Sequence, residues 1–285
     1  IAVAFPRSPM ISAQIAWELA SNTKGKFRLG LGSQVKPHIE RRYGVKFEQP
    51  AKRMRDYMLA VKASIQAFRG NERLDHNGPF YKLNLLTPQW SPPRHDYENI
   101  KIDMSAVNPL MLKVTGEVAD GLHVHPMHSM PYIKNRVLPA LKEGAQSAGR
   151  NLSDIDLIIP VLAVPGDSPE EQADMAKEAK TAIGFYGSTP VYAFQFDDLG
   201  YEGVRLKLAE TLRSGGREAL AAEVSDELLD QFGLVARWDD MADKLIDRYN
   251  GIASRVVMYL AKPSILKNPK NLERWGEIAR AVQAA

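Results

Sequence analysis

The apolar residues of this chain form two kinds of pattern that alternate along it. Six nearly continuous runs have the length and character of buried strands, at residues 1–5, 27–32, 100–107, 121–126, 156–164 and 254–261. Between these runs, apolar residues recur every three or four positions, as at Met54, Met58, Val61, Ile65 and Phe68. That spacing places them on one face of a helix. The pattern therefore predicts six strands, most of them separated by helices.

Further helices are predicted by the same spacing and by capping residues. Ser8 and Pro9 suit the cap and the first position of a helix that carries Ile11, Ile15 and Leu19 at helical spacing. Other helices are expected at 110–118, 131–149, 239–249 and 271–283, with a short hairpin and a long loop at 71–99. Four successive helix candidates, at 168–184, 188–197, 202–213 and 216–231, interrupt the alternation and predict a helical insertion over approximately 165–235.

Strands that are apolar throughout and joined by helices indicate a parallel sheet, either a barrel or a doubly wound sheet. A (β/α)8 barrel needs two strand–helix units more than this pattern supplies. The chain begins without Met and inside a strand, so we expect the missing piece to be the first two βα units. The expected fold is an α/β TIM barrel lacking those units. Residues 1–285 would form one N-terminally truncated domain, with a helical insertion before the last strand.

Composition excludes several classes of function. The 285 residues are 45% apolar and 25% charged, and the formal net charge of +3 comes from interspersed basic and acidic residues. A nucleic-acid partner is therefore not expected. The absence of cysteine excludes disulfides, thiolate metal sites and a cysteine nucleophile. The longest apolar runs are far shorter than the roughly 20 residues of a membrane helix, so we expect a cytoplasmic protein with no membrane partner.

Ligands of parallel α/β folds bind at the carboxyl ends of the strands, so the residues there carry the candidate chemistry. After the second run, Gly32 and Ser33 could present backbone N–H groups and a hydroxyl to an anion. The segment matches neither a Walker loop nor the GxGxxG fingerprint, and a plain βα turn remains the alternative. After the third run, Asn108 and Pro109 suit a helix start, whose free N–H groups are a weaker anion-site candidate.

Three histidines and a pair of aromatic residues are further candidates. His123 and His125 lie two residues apart on one predicted strand and so share a face, and His128 is near in sequence. Because no carboxylate lies nearby at ligand spacing, hydrogen-bonding roles are favoured over a metal site. Phe185 and Tyr186 could line a planar cofactor or substrate, with core packing as the alternative.

Several segments together resemble a known family. The stretch AVAFPRSPMISAQIAWELASNTKGKFRLGLGSQ resembles the third to fourth strands of the bacterial luciferase-like flavin and deazaflavin oxidoreductases. The stretch SAVNPLMLKVTGEVADG resembles the fifth-strand signature of that superfamily. LGLGSQVKPHIERRYG together with GFYGSTPVY is similar to an actinobacterial branch that uses coenzyme F420. The resemblance covers essentially the whole chain and implies a luciferase-like TIM barrel with an insertion after the seventh strand.

The resemblance also implies where a cofactor would bind. Ala2, Val3 and Ala4 correspond to the family's third strand, which carries a non-prolyl cis peptide, here at Ala2–Val3, behind the deazaflavin ring. Two loops correspond to the sites of the cofactor's phosphate and ribityl groups. Their residues are Gly32, Ser33, Gln34, Ala106, Val107 and Asn108.

Two departures from the family pattern concern the cofactor phosphate and proton transfer. Asn108-Pro109 stands in place of a Gly-Pro, which implies a less close approach of the backbone to phosphate. Val35 stands where related sugar-phosphate dehydrogenases have a proton-transferring Glu. The acid–base role is then expected from other side chains, and His125, His123 and Tyr186 are the predicted catalytic residues on the substrate side.

The predicted function is an F420-dependent oxidoreductase that transfers a hydride between the deazaflavin and an organic substrate. An FMN-dependent luciferase-like monooxygenase is the first alternative, and a non-catalytic F420-binding protein is the second. A TIM-barrel lyase that acts on a sugar phosphate or a nucleotide phosphate is less favoured, because it would have phosphate sites after the seventh and eighth strands, where the sequence has no glycine-rich loop. We expect a small-molecule substrate, no bound metal and, from the resemblance, a homodimer.

Overall fold

The computed structural model describes residues 1–285, with nine strands and twelve α-helices numbered here in chain order. The strands are β1 (Ala2–Val3), β2 (Arg28–Gly32), β3 (His76–Asn77), β4 (Lys82–Leu83), β5 (Lys101–Ser105), β6 (Gly121–His123), β7 (Asp156–Pro165), β8 (Gly233–Ala236) and β9 (Arg255–Met258). The helices are α1 (Pro9–Asn22), α2 (Pro50–Phe68), α3 (Pro109–Val118), α4 (Met130–Tyr132), α5 (Leu138–Ser147), α6 (Pro169–Gly187), α7 (Phe194–Asp197), α8 (Val204–Gly215), α9 (Asp226–Phe232), α10 (Met241–Tyr249), α11 (Ala261–Lys267) and α12 (Asn271–Ala284). Short π-helical segments span His38–Arg42 and Ile133–Val137, and 3-10 segments span Pro88–Trp90, Leu152–Asp154, Pro190–Tyr192 and Arg217–Glu223. All six runs that predicted strands contain one, namely β1, β2, β5, β6, β7 and β9.

The chain divides into two compact units, each with its own hydrophobic core. The first unit comprises Ile1–His123 and Val137–Asp156, and the second comprises Val124–Arg136 and Leu157–Ala285. Leu31, Met58 and Met104 lie in the core of the first unit. Leu162 and Phe196 lie in the core of the second. The expectation that the residues form one domain stays a prediction.

The first unit is built on four parallel strands in the order β1-β2-β5-β6. Where β5 pairs with β6, Asp103 lies opposite Gly121, and Ser105 lies opposite His123. Side chains alternate between the faces of a strand, so Asp103, Ser105 and His123 share one face. Met104, on the other face, is fully buried in the core. The polar side chains of β5 and β6 are therefore gathered on the face of the sheet away from the core of this unit.

The second unit is organised by the ten-residue strand β7. Residues 158–161 of this strand pair in parallel with β9, and residues 162–165 pair in parallel with β8. The sequence pattern does not predict β8, because this strand has only four residues and follows α9 without an intervening turn. The helical segment expected over 165–235 corresponds to α6–α9 and ends in β8.

Helix α1 is where the sequence predicts it, but a different face of the helix is buried. Ile11, Ile15 and Leu19, whose spacing predicts the helix, are 47%, 43% and 37% exposed. The buried face instead carries small residues around Trp17, which packs edge-to-face on Phe68 of α2. One large ring surrounded by alanines fills this space, so the branched aliphatic residues are left outside.

The prediction of a cis peptide bond at Ala2–Val3 is wrong, because every peptide bond of the chain is trans. Ala2 and Val3 pair in regular parallel register with Leu31 and Gly32, which an ordinary trans strand supplies. None of the helices combines the length and the apolar character that a membrane span requires.

Candidate functional site

The predicted cofactor residues of the first unit lie at the carboxyl ends of β1, β2 and β5. The backbone N–H of Ala4 donates to the carbonyl of Gly32 at 3.0 Å, so the ends of β1 and β2 are held together. A Cβ added to Gly32 would lie 2.5 Å from Oγ of Ser105, which leads into Ala106. Glycine at this position thus leaves room for the side chains of Ser105 and Ile1. We call these strand ends, residues 2–4, 32–34 and 106–108, the strand-end site.

The loop after Gly32 holds an unusual backbone conformation. Gln34 has a φ of +58°, in the left-handed region that residues other than glycine seldom adopt. Its side-chain Oε1 accepts a hydrogen bond from the backbone N–H of Val35 at 3.0 Å, and Oγ of Ser33 donates to its carbonyl at 3.2 Å. Such conformations persist where the surroundings hold them and are frequent at ligand sites. The loop is therefore held in place by its own hydrogen bonds, with Gln34 exposed.

Helix α3 begins where β5 ends. Asn108 is its N-cap residue, and its carbonyl accepts hydrogen bonds from the N–H groups of Met111 and Leu112, both at 3.0 Å. The side chain of Asn108 makes no capping bond and is exposed. The amino end of a helix carries a partial positive charge, so this end of the strand-end site suits a phosphate.

An ion network lies on the polar face of the same sheet. Arg28 of β2 grips Asp103 of β5 with both arms of its guanidinium, Nε to Oδ2 at 2.8 Å and Nη2 to Oδ1 at 2.6 Å. His123 Nε2 lies 3.2 Å from Oδ2 of the same carboxylate. The third nitrogen of Arg28, Nη1, lies 2.8 Å from Oδ2 of Asp156. The side chain of Asp103 is fully buried, so its charge depends on these partners.

Burial alone would raise the pKa of Asp103 by penalising its charged form. Hydrogen bonds from His123 and Arg28 outweigh that penalty and hold the pKa of this carboxyl below its usual value. Asp103 is therefore ionised at neutral pH and can only accept hydrogen bonds.

The second unit contains a cluster of aromatic rings. The ring of His125 meets Tyr186 edge-to-face, with centroids 4.7 Å apart, and lies against Tyr192 at 4.4 Å. The hydroxyl of Tyr186 is 2.7 Å from that of Tyr259. We call His125, Tyr186, Tyr192 and Tyr259 the aromatic cluster. The structure thus brings together two of the predicted catalytic residues, His125 and Tyr186.

His125, Tyr186 and Tyr192 of the aromatic cluster are uncharged at neutral pH. Burial lowers the pKa of His125 to about 4, and burial also raises the pKa values of Tyr186 and Tyr192 above the usual range. The backbone N–H of Met127 donates to Nδ1 of His125 at 3.2 Å. The carbonyl oxygen of Met127 lies 3.3 Å from the same Nδ1, so this nitrogen accepts from the N–H in one tautomer and donates to the carbonyl in the other.

His128 is a structural residue of the core of the second unit. Its ring is 2% exposed, with Nε2 3.1 Å from the hydroxyl of Tyr249 and Nδ1 2.9 Å from the carbonyl of His125. Burial lowers its pKa to about 4. The three histidines therefore have three different sets of partners, and His125 lies beyond the end of β6 rather than on it.

Five residues of these two clusters are not predicted from the sequence, namely Arg28, Asp103, Asp156, Tyr192 and Tyr259. Asp103 does leave a signal, because a carboxylate in the apolar run IKIDMSAV would be buried if the run is a strand. A buried carboxylate requires a partner. The two tyrosines leave none, because their positions depend on how separate helices and strands pack.

A family model described as luciferase-like monooxygenase matches residues 1–255. An uncharacterized protein of Mycobacterium tuberculosis is 35% identical over 257 residues, covering 90% of this chain and 76% of the relative.

Two solved structures have a similar fold. One is a coenzyme F420 dependent tetrahydromethanopterin reductase from Methanopyrus kandleri, with a TM-score of 0.71 at 21% identity, covering 90% of this chain and 75% of that one. The other is the oxygenating constituent of 3,6-diketocamphane monooxygenase from Pseudomonas putida in complex with FMN. Its TM-score is 0.64 at 16% identity, covering 99% of this chain and 78% of that one.

Proposed function

Because the chain belongs to the luciferase-like monooxygenase family, we propose that it is an F420-dependent oxidoreductase that transfers a hydride between the deazaflavin and an organic substrate. The fold is of the luciferase-like TIM-barrel type, as the sequence predicts, and the protein is an oxidoreductase. The family pattern is use of F420 or FMN. The choice of F420 and the assignment of residues are the new parts of this proposal.

The observation that carries the proposal is the shape and chemistry of the strand-end site. Gly32, Ala4 and Ala106 carry nothing larger than a methyl group, so little side-chain bulk would separate a ligand from the backbone there. The amino end of α3 and the exposed Asn108 amide suit a phosphate at one edge of the site. These features suit a ligand with a flat ring and a phosphorylated chain, a description that covers both F420 and FMN, and the resemblance of the sequence to the F420 branch favours F420.

The residues of this site have distinct proposed roles. Residues 2–4 would lie against the deazaflavin ring, and residues 32–34 with residues 106–108 would hold the ribityl and phosphate groups. When bound, F420 would supply the hydride chemistry. The chain itself would orient the ring, anchor the phosphate and exclude water.

Polar groups for the substrate are proposed in both units. His125 is neutral, so one of its ring nitrogens donates a hydrogen bond and the other accepts one, and Tyr186 offers a hydroxyl already paired with Tyr259. His123 of the first unit is held by Asp103 and is 32% exposed. We propose these three side chains as the substrate-side catalytic residues. A homodimer and a cytoplasmic location complete the proposal.

The test is a comparison of cofactor binding followed by turnover. The protein is titrated separately with F420 and FMN, with binding followed by the change in cofactor fluorescence. Both cofactors carry a ribityl chain and a phosphate, so the ratio of the two affinities is the decisive quantity. We expect F420 to bind at least about 10-fold more tightly, a difference of about 1.4 kcal/mol.

Turnover is then measured with F420 and a panel of primary and secondary alcohols, as loss of the absorbance of oxidised F420. Reduction of F420 by any member supports the oxidoreductase. Tighter binding of FMN, with oxygen uptake by the reduced FMN complex, would show the monooxygenase instead. F420 binding with no turnover in either direction would support the non-catalytic alternative.

A further inference from the structure

We propose that Asp103, gripped by Arg28, is a positioning residue that fixes the proton of His123 on Nε2, and that Nδ1 of His123 therefore exchanges a proton with the substrate. The inference rests on the function proposed above, since it names how one of the substrate-side groups would work. It adds a role for two residues, Asp103 and Arg28, that the sequence does not single out.

The first step is the direction of the hydrogen bond between His123 and Asp103. Asp103 is an ionised carboxylate and can only accept, so the ring nitrogen 3.2 Å from its Oδ2 must carry a proton. That nitrogen is Nε2. A neutral His123 then has its lone pair on Nδ1, and a protonated His123 carries its additional proton there.

The second step is the rigidity of the carboxylate. Two parallel hydrogen bonds from Arg28 fix the plane of Asp103 as well as its position. Gly121 of β6 closes the remaining space, since a Cβ at that position would lie 2.6 Å from Oδ1 of Asp103 and 3.0 Å from Nη2 of Arg28. The carboxylate cannot turn away from His123 without losing an arm of the guanidinium.

The third step is the balance of charge around the ring. The charged groups of this network are Arg28 on β2, Asp103 on β5 and Asp156 at the start of β7. Ser105 lies opposite His123 in the register of β5 and β6 and contributes no charge. One arginine serves two carboxylates, so the three groups carry a net charge of −1, and Asp103 contacts the ring of His123 at Nε2.

The chemical step follows for a substrate that interconverts an alcohol and a carbonyl compound. In oxidation, the C–H bond of the carbinol carbon breaks and its two electrons leave with the hydride to oxidised F420. The O–H bond breaks at the same time, its proton goes to Nδ1 of neutral His123, and the C=O double bond forms. In reduction, the protonated Nδ1 returns the proton to the oxygen as the hydride arrives at carbon.

The test reads the proton positions of His123 directly. The chain contains six histidines, and labelling them with 15N distinguishes a protonated ring nitrogen from one with a lone pair. The His123 signals are identified by their loss in His123→Gln. In the unsubstituted protein we expect Nε2 to carry a proton at every pH, with Nδ1 alone gaining and losing one. A neutral ring with its proton on Nδ1 would overturn the proposal, and this measurement needs no variant of Asp103.

Asp103→Asn supplies the second measurement, and Asp198→Asn is its matched control. Asp198 also receives both arms of an arginine, Arg136, at 2.5 Å, but contacts no histidine. We expect Asp103→Asn to remove the preference for Nε2 and to lower kcat for the alcohol panel by about 100-fold or more, with KM little changed. Asp198→Asn is expected to change neither. An unchanged tautomer and kcat in folded Asp103→Asn would overturn the proposal.

The two proposals fail in different ways. If the protein binds no F420 but His123 still carries its proton on Nε2, the proposed function is wrong and the positioning by Asp103 stands. If F420 turns over while neutral His123 is protonated on Nδ1, the function stands and the role given to Asp103 is wrong.

Discussion

The two units bury ionisable side chains in opposite ways. In the first unit, Asp103 keeps its charge because Arg28 and His123 donate hydrogen bonds to it. In the second unit, His125 and His128 lose theirs, because their surroundings are aromatic rings, backbone groups and a tyrosine hydroxyl. A buried group must either find a partner of opposite charge or become neutral.

This difference decides what each cluster can contribute to chemistry. The ion network contacts one ring nitrogen of His123 with a carboxylate and, as proposed above, leaves the other nitrogen to exchange protons. The aromatic cluster offers neutral donors and a set of ring faces, which suits contact with an uncharged organic molecule. The following four predictions test this contrast, from the largest expected effect to the smallest.

Removing the carboxylate of the ion network should cost the most stability. Asp103→Ala leaves the half-buried guanidinium of Arg28 with Asp156 as its remaining partner, which we expect to lower the free energy of unfolding by about 3 kcal/mol. In the aromatic cluster, Tyr186→Phe removes one neutral hydrogen bond and should cost about 1 kcal/mol. Urea unfolding followed by circular dichroism compares the two variants, and equal costs would contradict the contrast.

Acid should weaken the second unit before the first. His128 has a folded pKa of about 4 against 6.5 when exposed, so the unfolded chain binds its proton first as the pH falls. The stability it contributes is present above pH 6.5 and is lost down to about pH 4, at up to about 1.4 kcal/mol per pH unit. Asp103 has a lowered pKa, so its contribution is lost only below its unfolded value of 3.8.

Hydrogen exchange measured by mass spectrometry at pH 7, 6 and 5 separates the two units. We expect peptides of the core of the second unit to lose protection, measured as the free energy of opening, while those of β2 and β5 keep theirs. His128→Gln removes the titrating ring and should flatten the pH dependence. A uniform loss of protection in both units would contradict the prediction that acid weakens the second unit first through His128.

Adding a methyl group at Gly32 should impair cofactor binding more than it impairs folding. The Cβ of Gly32→Ala would lie 2.5 Å from Oγ of Ser105 and 3.0 Å from Cγ2 of Ile1, so the strand ends must shift. Such overpacking costs about 1–3 kcal/mol, and we expect the affinity for F420 to fall at least about 10-fold. Gly276→Ala on α12, where the nearest atom is a flexible arginine nitrogen at 3.3 Å, is the control and should leave binding unchanged.

The smallest effect is expected at the rim of the aromatic cluster. Burial raises the pKa of Tyr186, and the hydrogen bond with Tyr259 raises it further. Tyr259→Phe removes the second contribution, so the pKa of Tyr186 should fall while stability changes by at most about 1 kcal/mol. Spectrophotometric titration of the tyrosines checks this, with Tyr201→Phe as control, and an unchanged titration of Tyr186 would contradict it.

The sequence predicts the strands and most helices because each leaves a local pattern. Helix α2 has its apolar residues in one row, and β7 is apolar along almost its whole length. Strand β8 leaves no such pattern, since four residues are too few to show a period. The spacing of Ile11, Ile15 and Leu19 correctly predicts helix α1 but predicts the wrong buried face. The face that is buried in the structure carries Trp17 and the small residues beside it.

The candidate site is predictable to the extent that it lies at strand ends. His125 and Tyr186 are chosen from the sequence and do lie together in the second unit. Tyr192 and Tyr259 join them only through tertiary packing, which no spacing along the chain encodes. The same holds for Arg28 and Asp103, because strand register across the sheet decides that they meet.

The double pairing of β7 has a consequence for how the protein is made. This strand leaves the ribosome long before β8, which follows four helices, and before β9, which follows α10 as well. Pairing between segments so distant in the chain requires closing a large loop and is slow. During synthesis, the ten largely apolar residues of β7 are therefore without β8 and β9 for some time. Exposed apolar segments of this kind are prone to aggregation and are bound by chaperones. The yield of soluble protein is expected to depend on β7 more than on any other strand.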